Sequence, residues 1–72
     1  MNARQKIQKA LELFMEPADA RACNVYKGVD YGGGLQDYGW WYRPFGQNAV
    51  WLGRSVKAAL ATIEDIAESR HE

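Results

Sequence analysis

The chain predicts an α+β domain with the element order α-β-β-β-α, and three observations carry that prediction. All seven Gly lie between Gly28 and Gly53, and eight of the nine aromatic residues lie between Tyr26 and Trp51. The flanks hold most of the Ala and the charge, with apolar residues at helical spacing. Ten of the apolar residues are Ala, which leaves 24 larger side chains to build a core in 72 residues. That is enough for one small domain spanning 1–72, which buries roughly 60% of its unfolded surface.

The first helix is expected over 3–15, where Ala3, Ile7, Ala10, Leu11 and Phe14 share a stripe and Arg4, Gln8, Lys9 and Glu12 turn elsewhere. Asn2 is placed to cap its start. Pro17 disfavours the α conformation at Glu16, so the helix should end there and Pro-Ala-Asp-Ala should form a turn. Three strands follow, at about 22–30, 38–43 and 49–52. The connection Tyr31-Gly32-Gly33-Gly34-Leu35-Gln36-Asp37 should be flexible, because three consecutive Gly lose the most backbone entropy on ordering. Pro44-Phe45-Gly46-Gln47-Asn48 fits a five-residue hairpin loop. The last helix puts Val56, Ala59, Leu60, Ile63, Ile66 and Ala67 on one stripe, with Ser55 as its N-cap after a sharp corner at Gly53.

The hairpin loop sets an expected register. Trp40 falls opposite Leu52 and Tyr42 opposite Val50 on one face, while Trp41 falls opposite Trp51 and Arg43 opposite Ala49 on the other. Two amphipathic helices can cover only one face. The first should therefore be core, and the second, with two Trp and one Arg, should be open.

Charge and composition narrow the function classes. Lys+Arg 9 balance Asp+Glu 9, so the strongly basic footprint of many nucleic-acid binders is missing from the totals, although residues 54–57 carry Arg54 and Lys57 unopposed. A single Cys excludes an internal disulfide framework and most structural zinc sites, and suits a reducing cytoplasm. No run approaches the ~20 apolar residues of a membrane span. No catalytic constellation emerges. His71 sits in a terminal tail, and Cys23 reads as a small buried hydrophobe. Glu64, Asp65 and Glu68 read as a solvated helix face. Gly32 to Gly34 lack the Lys-Ser/Thr and helix start of a phosphate-binding loop. No cofactor, metal or small-molecule substrate is implied, and an enzyme is not expected.

From Tyr38 to Ile63, Tyr-Gly-Trp-Trp-Tyr-Arg-Pro, then Val-Trp-Leu-Gly, then an Ala-rich helix resembles small modules with a three-stranded sheet on one C-terminal helix. These are the ethylene-response-element-binding domains of plants and the arm-site-binding domains of tyrosine recombinases. Tyr26-Lys27-Gly28-Val29 also resembles the opening of the plant type. The resemblance implies a sheet laid in the DNA major groove, with Lys27, Trp41, Arg43 and Trp51 reading bases and phosphates. The α-β-β-β-α order is also similar to double-stranded-RNA-binding domains, although the last helix starts with only two cations. Two readings stand. One is a nucleic-acid-binding module using Lys27, Trp41, Arg43, Trp51, Arg54 and Lys57; the other is a protein-interaction module, whether adaptor, inhibitor or homodimer, using the same Trp-rich face.

Overall fold

The computed structural model describes residues 1–29 and 38–70, so the Gly-rich connection and His71 lie outside the described residues. Helix α1 (Ala3–Ala10) starts at a reciprocal cap: the Gln5 N–H donates to Asn2 Oδ1 at 2.8 Å, and the Asn2 N–H donates to Gln5 Oε1 at 3.0 Å. The helix does not continue to residue 15. It tightens into a 3₁₀ turn, Leu11–Leu13, and Phe14 leaves the helical region at φ −134°.

A second helix, α2 (Pro17–Ala22), stands where a turn was expected. Glu16 is extended, as the following proline requires, yet Pro17 then takes the first helical position, where no intrahelical partner awaits an N–H. Six residues cannot hold a helix alone. Gln8 from α1 holds this one, its Nε2 lying 3.3, 3.3 and 3.4 Å from the carbonyls of Ala20, Arg21 and Cys23 at the end of α2. The Cys23 N–H also donates to the Ala20 carbonyl at 3.3 Å, so backbone and side chain together close the last turn.

Strands β1 (Asn24–Val29), β2 (Tyr38–Arg43) and β3 (Val50–Gly53) form an antiparallel sheet in that order. Helix α3 (Val56–Arg70) follows, its start capped by Ser55, whose Oγ accepts the Ala58 N–H at 3.1 Å. Both long helices cover the same sheet face. Ile7 of α1, Leu11 of the 3₁₀ turn, and Ala59 and Ile63 of α3 enclose Val25, Tyr42 and Leu52 from the sheet, with Ala20 and Cys23 completing the core.

The hairpin register holds only in part. Trp41 pairs with Trp51 and Tyr42 with Val50, as expected, but Trp40 pairs with Gly53 because a bulge intervenes between Trp40 and Trp41. The extra residue is Leu52, whose side chain stays in the core. Its carbonyl accepts the Thr62 hydroxyl of α3 at 2.7 Å, which ties the bulge to the helix. Glycine makes the bulge possible. A Cβ on Gly39 would collide with the Gly53 carbonyl, and one on Gly53 would lie 2.8 Å from Ala58 Cβ.

Burial follows this corrected register. Of the four residues expected to be buried together, Tyr42 and Leu52 are core, Trp40 packs half-buried at the margin, and Val50 is exposed. Val50 opposes Tyr42 as the first residue of the short strand β3.

Candidate functional site

Two surfaces gather aromatic and large apolar side chains. The first is the sheet face turned away from the helices. Tyr26, Trp41 and Trp51 pair across the three strands, so an aromatic row crosses it. Gly28 and Gly39, paired with each other, lie beside the row and leave room for flat rings. The Trp51 indole approaches so closely that a Cβ on Gly39 would sit 2.9 Å from its Nε1.

This face is not open as expected, because Trp41 is 8% exposed and its Nε1–H donates to the Gly28 carbonyl at 3.0 Å. Only Trp51, at 38%, presents much of its indole. Arg43 is exposed on the same face, but its Nε donates to the Gln47 carbonyl at 3.1 Å and closes the hairpin loop. Arg54 and Lys57 are exposed around the start of α3.

Lys27 does not join them. It pairs with Trp40, one position out of step with the aromatic row, so it belongs to the opposite face. There its Nζ lies 5.6 Å from the Tyr38 ring centre and 5.9 Å from that of Trp40. Of the six residues singled out, only Trp41, Arg43 and Trp51 share the aromatic face.

The second surface is a groove of about 910 Å³ that the sequence did not reveal. One wall is the 3₁₀ turn and α2; the other is the hairpin loop with Tyr42 and Val50. Phe14, Met15, Cys23 and Tyr42 line its inner part, and Phe14 meets Tyr42 edge to face with ring centres 6.2 Å apart. Leu13, Phe45 and Val50 line the walls and are 51%, 90% and 38% exposed. Glu12, Glu16 and Asp19 also line it, as does Arg70, whose guanidinium carbon lies 4.9 Å from the Phe14 ring centre.

Two signals in the sequence mark this groove in retrospect. Leu13-Phe14-Met15 is a run of three large apolar residues, and no helical stripe can bury all three. Phe45 is a large apolar residue in a turn otherwise built from Pro, Gly, Gln and Asn.

Cys23 lies just before β1, buried at the groove, where its Sγ–H donates to Met15 Sδ at 3.6 Å. Burial pushes its thiol pKa up, and the Asp19 carboxylate adds to that. Burial also raises the Tyr42 hydroxyl, with Arg70 opposing and Cys23 reinforcing the shift. Both groups titrate higher folded than unfolded, so an unfolded chain releases these protons first. Their contribution to stability is complete below the ordinary thiol and phenol values, 9.0 and 10.0, and is lost as pH rises through the higher folded values. The urea midpoint should therefore fall above pH 9, and Cys23→Ala should remove the earlier part of that fall. A midpoint flat across the alkaline range would contradict this.

Glu64, Asp65 and Glu68 are all exposed on α3. Among the described residues, no group of three or more His, Cys, Asp or Glu is placed to hold a metal ion, and no helix is long and apolar enough to cross a membrane. No family model, curated protein or solved structure matches this chain.

Proposed function

We propose that this chain is a small non-enzymatic binding module whose ligand is another polypeptide, taken in the groove between the 3₁₀ turn–α2 segment and the hairpin loop. One observation carries the reading: Leu13, Phe45 and Val50 stand exposed together around a recess lined within by Phe14, Met15 and Tyr42. Large exposed apolar side chains gathered at one place mark interaction surfaces, because covering them releases ordered water at little polar cost. A half-buried aromatic interior beside such side chains suits the anchor-and-pocket pattern of interface hot spots.

The nucleic-acid alternative draws less support from the geometry. It needs aromatic faces and cations free on one surface. Here Trp41 is covered, Arg43 is engaged with its own loop, and Lys27 belongs to the other face.

Selection of displayed random peptides on the folded protein tests the reading. Recovered peptides should bind the wild type and lose about tenfold or more in affinity, ~1.4 kcal/mol, on Phe45→Ser, whose exposed position leaves the fold intact. Peptides insensitive to Phe45→Ser, or duplex or single-stranded DNA that binds at low salt and quenches Trp51, would overturn it.

A further inference from the structure

Phe14, Met15 and Tyr42 line the groove within, and its walls carry charge. Glu12, Glu16 and Asp19 line the 3₁₀ turn–α2 side, against a single lining cation, Arg70. The chain as a whole has zero net charge, so this excess of carboxylates is local. Glu12 is partly neutralised by Lys9, whose Nζ lies 3.2 Å from its Oε2. Glu16 and Asp19 are exposed, and no cation among the described residues pairs with either. Arg70 turns its guanidinium onto the Phe14 ring. Asp19 also acts on the groove interior, since its charge helps hold the Cys23 thiol protonated.

From this charge arrangement we infer that the groove selects polypeptide segments in which Lys or Arg stands beside apolar anchors. The inference rests on the polypeptide-binding reading above. Anchors would lie against Phe14, Met15 and Tyr42 under Phe45, and a neighbouring cation would meet Glu16 and Asp19, which pair with no cation among the described residues. Charges at a partly exposed rim act on specificity and association rate more than on raw affinity, and salt screens them over ~8 Å at physiological ionic strength. An acidic segment with the same anchors would face repulsion from the same two carboxylates.

Three fluorescein-labelled synthetic peptides, with identical Leu and Phe anchors and either Lys, Ser or Glu between them, separate the two levels of the argument. The Lys peptide should bind about tenfold more tightly than the Glu peptide at low salt, with the Ser peptide between them and the spread narrowing as salt rises. The double variant Glu16→Gln/Asp19→Asn should collapse that spread, whereas Glu64→Gln/Glu68→Gln on α3 should leave it unchanged. Phe45→Ser should weaken all three peptides. Equal affinities that all fall on Phe45→Ser would retain the groove and reject the charge selectivity. A Lys preference that survives Glu16→Gln/Asp19→Asn would place its origin elsewhere and also reject the inference. Absence of binding by all three peptides, with self-association of the protein that Phe45→Ser abolishes, would identify a second copy as the occupant and overturn both.

Discussion

Trp41→Ala is expected to cost about 3–5 kcal/mol, the range for truncating a large buried aromatic. Trp41 lies in the central strand at 8% exposure, paired with Tyr26 on one side and Trp51 on the other, and its indole N–H is bonded to the Gly28 carbonyl. The alanine variant opens a cavity and leaves that carbonyl without its donor. Domains of this size have little stability to spare, so the variant should be largely unfolded at 25 °C. Trp51→Ala removes the same atoms from a residue 38% exposed and should cost less, about two-thirds as much by buried area. Urea unfolding followed by circular dichroism measures both. A Trp41→Ala cost below about 1 kcal/mol would mean that Trp41 acts at the surface, as the alternation of the sequence had suggested.

The second large effect contrasts two paired glycines. Gly28 and Gly39 face each other in the ladder, but a Cβ added at Gly28 meets nothing within 4 Å, whereas one at Gly39 meets the Gly53 backbone. Gly39 also has φ +157°, which side-chain-bearing residues rarely adopt. Gly39→Ala must therefore push β3 away at the bulge, at a cost of about 2–6 kcal/mol from overpacking and backbone strain together. Gly28→Ala should be neutral or stabilise by about 0.5–1 kcal/mol, since glycine weakens a strand interior through its entropy. Equal effects at the two positions would show that the close approach of Gly39 to Gly53 does not exist in solution.

The register shows where a pattern of residue types stops informing. The five-residue loop from Pro44 to Asn48 suffices to set Trp41 against Trp51, and the pleat then puts that pair on the face away from Tyr42. Neither carries any sign of the bulge. A bulge depends on whether two backbones can approach, which Gly39 and Gly53 permit but composition does not announce. Lys27 was misplaced for a related reason. Eight residues separate β1 from β2, more than a two- to five-residue hairpin loop that would set the pairing, so nothing in the sequence sets which β1 residues share the face of Trp41.

Local signals determined much of this protein from sequence alone. The order of elements, the caps at Asn2 and Ser55, the extended Glu16 before Pro17 and the corner at Gly53 each depend on a few neighbouring residues and their backbone preferences. Tertiary structure alone decided the rest. Helix α2 exists because Gln8 reaches its terminal carbonyls, Trp41 is buried although its strand face carries no helix, and the groove exists because the hairpin loop stands opposite the 3₁₀ turn. These features join segments 12 to more than 30 residues apart, and such contacts arise from packing and chain reversal that no local pattern encodes.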